Sequence, residues 1–239
     1  MKFPFAALFA IISTVATAQP SAAAALPESG TAIRIDGDLD AVATWNEKKG
    51  KWLSGGSDID TALPVGYPPP TPPGSIDLKT YPSVRRAEIA DEGNRGFMPL
   101  FRHIQRNKIA MTAPVEMDYE TTGTTTLRST SMSFLYYTPD LHETGADPKD
   151  ARITIRDADP VTVISMGGRG SYDRSRVQKD AAKLRAWLAE NPSWEEAGEP
   201  RALMYNGPSV TPWTKWLEVQ IPVRPRVDAA KAADDLPTG

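Results

Sequence analysis

The 239-residue chain contains no cysteine. That absence excludes a disulfide scaffold, a lipoprotein anchor, thiolate metal sites and covalent attachment of a prosthetic group through thioethers. Histidine is scarce, with only His103 and His142. There is no Gly-x-Ser-x-Gly elbow, no His-Glu-x-x-His and no thiol nucleophile, so no hydrolytic constellation is visible. Neither sign of charge dominates: 27 basic against 30 acidic side chains leave a net charge of -3. Such a surface has no polyanion footprint, and nucleic acid is not an expected partner.

What is present begins with an N-terminal leader pattern. Met1-Lys2 is followed by an apolar segment from Phe3 to Ile12 and by Ala16-Thr17-Ala18 before Gln19. This order of a basic start, an apolar stretch and small residues marks residues 1–18 as a secretory signal peptide. The apolar run is well short of the roughly 18 residues that span hydrocarbon, so no membrane span is expected after cleavage. The mature protein is expected to be exported, periplasmic or secreted, and monomeric. With 40% hydrophobic residues it is long enough to bury a core of its own.

Composition then divides the chain. Residues 19–63 form an N-terminal extension of unassigned role, whose first part, 19–30, is rich in Ala and Ser. Residues 64–74 carry six prolines, which exclude helix and central strand and predict a semi-rigid, extended linker. Residues 75–224 carry the regular elements, and 225–239 read as a flexible tail.

Within 75–224, apolar residues alternate through Ile76, Leu78 and Thr80 and again from Val84 to Ile89, as in half-buried strands. Gly96 to Gln105 follows with Phe97, Leu100, Phe101 and Ile104 at helical spacing, and Pro99 in the first turn. Strands are predicted at Ile109–Tyr119 and Thr126–Tyr137, joined by a turn at Gly123. The second half repeats this order: strands at Arg152–Arg156 and Val161–Met166, a helix from Asp173 to Glu190, and strands at Ala202–Tyr205 and Trp216–Val223. That second helix has Val177, Ala181, Leu184 and Leu188 on one stripe and Asn191-Pro192 as its stop. The reading is an α+β fold: a distorted antiparallel β-barrel made of two strand-strand-helix-strand-strand repeats, with two helices packed on the sheet.

One segment is more specific than any periodicity. Lys108-Ile-Ala-Met-Thr-Ala-Pro-Val-Glu-Met117 reads as a buried strand of small and apolar residues, with Pro114 at an edge or bulge. It resembles the KIAMTAPV strand of the SOUL/haem-binding protein family. Leu100-Phe-Arg-His-Ile104 lies upstream. Downstream come Met132-Ser-Phe-Leu-Tyr-Tyr-Thr-Pro139, Asp159 to Gly168, Tyr205-Asn-Gly-Pro208 and Leu217-Glu-Val-Gln-Ile221, in the family's order. The resemblance covers roughly residues 70 to 224. It implies a distorted barrel with two flanking helices and non-covalent binding of haem or another tetrapyrrole in a shallow apolar groove.

On the first helix, Arg95, Met98, Arg102 and Gln105 cluster on a face away from the core stripe. The resemblance implies that a pair matching Arg95 and Met98 helps line the groove, with arginines such as Arg95 and Arg102 pairing with propionates. His103 lies at the rim of that helix and is the candidate axial ligand, against an exposed or hydrogen-bonded imidazole. Met111 and Met117 read as sheet packing. Where the family tends to carry Arg-Asn before Glu-Val, this chain has Trp216-Leu217. Trp213 and Trp216 read as core or as an extension of the groove.

Other signals read as structural. Gly167-Gly-Arg-Gly170 lacks the phosphate-cradle ending and is expected to be a strand-to-helix turn. Asp36, Asp38, Asp40 and Glu47 match a calcium-loop template, but Ala41 stands where glycine is required, which favours an acidic surface turn. Glu116 and Glu218 lie on corresponding strands of the two halves and are the carboxylates available to an enzyme. Two rivals to a binding protein therefore stand: an enzyme acting on an apolar or tetrapyrrole-like substrate, and a ligand-free interaction module.

Overall fold

The computed structural model describes residues 26–90 and 95–226. The predicted signal peptide and nearly all of the predicted tail lie outside the described residues. In chain order the strands are β1 (Ala32–Gly37), β2 (Thr44–Asn46), β3 (Lys51–Ser54), β4 (Ser57–Ile59), β5 (Ser75–Tyr81) and β6 (Val84–Ala90). Helix α1 (Phe97–Arg106) precedes β7 (Val115–Thr122), β8 (Thr126–Leu135), β9 (Gly145–Asp147), β10 (Asp150–Ala158) and β11 (Val161–Arg169). Helix α2 (Arg174–Glu190) is followed by β12 (Trp194–Glu196), β13 (Arg201–Met204) and β14 (Trp216–Pro225).

Two helices lie on a large antiparallel sheet, an α+β architecture. The sheet order is β1-β5-β11-β14-β13-β7-β8-β6-β10-β9, with β12 on β14, while β2, β3 and β4 form a small separate sheet. The sheet is open, not the barrel that the sequence predicts. Its two ends are β1, which pairs with β5, and β9, which pairs with β10, and among the described residues these ends do not pair with each other. Sequence patterning misses both capping strands because each is short or half-exposed.

Period-2 alternation sends neighbouring residues to opposite sheet faces. One face is apolar and carries both helices. Leu100 and Ile104 of α1 pack into a cluster with Ile89, Met132, Phe134 and Ile155. Val177, Ala181, Leu184 and Leu188 of α2 pack with Ile164, Val219 and Ile221. Helix α2 starts as its sequence predicts, with the Asp173 carboxylate accepting from the Arg176 amide at 2.8 Å. It stops before Asn191 and Pro192.

Two expectations change. The Met111-Thr-Ala-Pro114 segment is not strand: β7 begins at Val115, directly after Pro114, which has no N–H to offer a ladder. Its buried Thr112 instead donates its hydroxyl to the Leu135 carbonyl. Nor does the proline-rich stretch stand off as a linker. Thr71 is buried, its amide donates to Glu218 at 2.7 Å, and its carbonyl accepts from the Trp216 indole at 2.8 Å. Gly167 of β11 makes that crossing possible, since a Cβ there would collide with the Pro72 carbonyl oxygen. The expected Gly167 to Gly170 turn is thus largely strand, and its first glycine serves a close backbone approach.

Candidate functional site

Between α1 and the loop from β11 to α2, over the β13-β7-β8 seam, lies a cleft of about 480 Å³. Its floor is Val115 of β7, Met132 of β8 and Met204 of β13, one wall is Phe97 and Phe101 of α1, and the other is Ser171 and Tyr172. The rim is built from Thr61, residues 111–113, residues 205–208, Pro212 and Lys215. Phe97 and Phe101 are stacked, with ring centroids 6.1 Å apart, and Phe97 also meets the edge of Phe134 at 5.2 Å. These contacts hold both rings in place on the cleft side of α1.

Lys215 is the sole charged group on the wall among the described residues, and its Nζ sits 5.0 Å from the centroid of Tyr172. Tyr172 is fixed in turn: its hydroxyl donates to the Trp216 carbonyl at 2.9 Å and accepts from the Asn206 amide at 2.8 Å. Burial pushes its phenol well above the ordinary range. A smaller cavity of about 80 Å³ continues beneath α2, sharing Tyr172 and Met204 with the cleft.

The residues that the sequence singles out lie elsewhere on α1. Arg95 is exposed just before the helix, Met98 is 51% exposed and Arg102 is exposed. None of them borders the cleft. The cleft borders the first helix on its Phe97 and Phe101 side, which patterning assigns to core. His103, expected at the rim, is fully buried. Its Nδ1 bonds to Asp147, delivered by β9, and its Nε2 lies 2.6 Å from the Tyr136 hydroxyl. Both ring nitrogens are therefore engaged by protein groups, which leaves neither free for a metal.

The opposite face of the sheet holds the acidic candidates. Glu116 and Glu218 both pair in register with Leu203, one from each side, so their strands stand about 10 Å apart on one face. Each has its own cations. Glu116 accepts from Arg86 at 2.9 Å and Arg201 at 3.0 Å. Glu218 accepts from Lys79 at 2.9 and 3.0 Å, Ser165 at 2.5 Å, Tyr205 at 2.7 Å, Gln220 at 2.8 Å and the Thr71 amide. Burial alone would raise both carboxyls, but their cations hold them below the usual range. They are not a shared-proton pair, but one network links them: Arg201 also donates to Gln220 at 2.9 Å, and Gln220 donates to Glu218 at 2.8 Å.

Sequence reasoning misses most of the cleft. Tyr172, Asn206, Lys215 and Thr61 come from loops without a local pattern, and Met111, which reads as sheet packing, lies at the rim instead. Trp216 is core, at 0% exposure, whereas Trp213 is 72% exposed beside the rim residue Pro212. Asp38, in the acidic run, caps a turn by accepting the amides of Asp40 and Ala41.

Residues 71–222 match the family described as SOUL heme-binding protein. The chain belongs to the SOUL heme-binding protein family. The match runs from just before β5 into β14 but not over residues 26–70, so this SOUL protein adds β1 to β4 to the family's region. No curated protein matches the chain. Among solved structures it is similar to the EcmrR–DNA complex, at 15% identity over 63% of this chain and 57% of that one, with a TM-score of 0.49. The EcmrR C-terminal domain alone aligns at 15% identity over 63% and 98% of the two chains, with a TM-score of 0.47. A hydrolase from Listeria innocua aligns at 10% identity over 62% and 91%, with a TM-score of 0.46. This SOUL protein thus spans little more than half of the EcmrR chain it matches.

The wall chemistry fits the group that the family name implies. Aromatic rings and the thioethers of Met111, Met132 and Met204 suit the face of a macrocycle, and Lys215 suits a carboxylate at its edge.

Proposed function

We propose that the protein is exported and binds haem, or another planar tetrapyrrole, non-covalently and reversibly in the cleft between α1 and the loop from β11 to α2. Binding, sequestration or carriage is then its role, and it acts as a monomer. The observation that carries this reading is the cleft itself: about 480 Å³, apolar, aromatic-walled and bordered by one cation. That volume lies inside the roughly 300–1,000 Å³ usual for small-molecule sites.

Phe97, Phe101, Tyr172 and Met204 would contact the macrocycle, and Lys215 would pair with a propionate. The bound group supplies the affinity for axial ligands and any redox chemistry; the chain supplies burial and orientation. With one cation and no imidazole in the wall, affinity on the order of 1 µM is expected, which permits exchange.

Titrating haemin into the purified protein tests the reading. A saturable one-to-one shift of the Soret band is expected. A folded protein that leaves the haemin spectrum unchanged would sink it.

A further inference from the structure

We propose that residues 55–62, which precede the family-matching region, form a fixed rim that joins the three loops around the cleft and limits which macrocycles it admits. The proposal rests on the cleft being the ligand site. Three ties carry it, each within or directly beside one of those loops. The Gly55 carbonyl accepts from the Arg169 guanidinium, two residues before the wall residues Ser171 and Tyr172. The Asp58 carbonyl accepts from Asn206 Nδ2 at 2.7 Å, within the 205–208 loop. The Ala62 carbonyl accepts from the Ala113 amide at 2.9 Å, within the 111–113 loop.

All three acceptors are backbone carbonyls. The ties therefore depend on the path of the segment, and that path is fixed from within. Ile59 is 0% exposed and belongs to the same buried cluster as Ala113, Tyr205 and Trp216. Asp58 is also held by Lys51 at 2.6 Å across the small sheet. With Ile59 anchored, the half-buried Thr61 is left at the cleft.

A loop tied at one point to a rigid element loses most of its freedom, and three loops tied to one segment move together or not at all. The rim therefore presets the width of the opening, and a ligand meets a formed wall instead of ordering it on arrival. The position of Thr61 makes this a size filter, because bulk added there enters the space the ligand needs.

Haemin titration of the parent protein, Thr61→Trp and Phe101→Ala tests the filter, and native-state hydrogen exchange of Ile59→Ala tests the ties. Thr61→Trp is expected to weaken haemin binding at least about tenfold while its thermal midpoint stays at the parent value. Ile59→Ala is expected to speed exchange of the Ala113 amide at least about tenfold while the β14 amides remain protected. If Phe101→Ala weakens haemin but Thr61→Trp does not, the rim proposal is overturned and the cleft reading stands. If neither variant alters haemin binding, or the folded parent binds none, both fail. Unchanged protection of Ala113 in a folded Ile59→Ala protein overturns the ties.

Discussion

Tyr205 lines the cleft, while its hydroxyl donates to Glu218 at 2.7 Å on the opposite face of the sheet. One residue thus connects the ligand wall to a fully buried ion pair, Lys79 with Glu218, both 0% exposed. Such a pair costs desolvation that its partners must offset, and removing one partner strands the other charge.

Glu218→Gln is therefore expected to destabilise the fold by about 3–5 kcal/mol, because the buried Lys79 is left without the carboxylate that pairs with it. Tyr205→Phe removes one of several donors and costs about 1–2 kcal/mol. Adding Lys79→Met to Glu218→Gln should recover much of the loss. Urea denaturation of the parent and the three variants measures this, and a double variant no more stable than Glu218→Gln would refute it.

The two faces of α1 make opposite predictions for binding. Phe101→Ala opens the cleft wall and should weaken haemin by about tenfold or more, the scale expected when one large apolar side chain no longer covers the ligand. Met98→Ala, on a half-exposed side chain outside the cleft, should change it less than about twofold. Haemin titrations under one set of conditions compare them, and the reverse ranking would return the ligand to the arginine-bearing face.

The helix that makes this distinction is legible in the sequence, but not the use of its faces. Phe97, Leu100, Phe101 and Ile104 share one stripe, and spacing cannot say that Leu100 and Ile104 reach the core while Phe97 and Phe101 stop at the cleft. Strand and helix order is legible because alternation and 3.6-residue periodicity are local. The open sheet is not, because its ends are β1, which is half-exposed even though Ile33 and Ile35 alternate with Arg34 and Asp36, and β9, which is only three residues long. The burial of His103 escapes local pattern for the same reason: its partner Asp147 is 44 residues away. Lys215 and Tyr172 meet through loop paths that no spacing encodes.

His103 predicts a pH dependence. Burial lowers its pKa below the ordinary 6.5, although Asp147 pulls the other way. Asp147 is itself held at about 2: burial opposes this, and the bond from His103 with the amides of Lys149 and Asp150 outweighs it. A histidine whose folded pKa lies below its unfolded value stabilises the fold fully above pH 6.5. That contribution is lost as pH falls from there through the folded value. The thermal midpoint should drop between pH 7 and pH 5, and His103→Gln should drop less over that interval. Equal slopes for parent and variant would assign the acid sensitivity to other groups.

Asp118 works in the opposite direction. Burial first, and then the charge of Glu116, raise its carboxyl to about 6 against the pull of Arg86 and a hydrogen bond from Ser131. Its ordinary value is 3.8, so the fold prefers the protonated form, and ionising it at neutral pH costs stability. The cost is absent below about pH 4, grows through pH 6 and is complete above it. A rise from 3.8 to about 6 sets a ceiling of about 3 kcal/mol, and partial solvent access reduces that to about 1–2 kcal/mol. Asn at this position keeps an acceptor for Ser131, which bonds Asp118 at 2.8 Å, and gives up a 3.5 Å contact with Arg86. Asp118→Asn should therefore stabilise the protein by that amount at pH 7.5 and have almost no effect at pH 4, read from urea midpoints at the two values. A loss of stability at pH 7.5 would mean that Arg86 needs this second carboxylate, and that the ion cluster around Glu116 is held together by both acids.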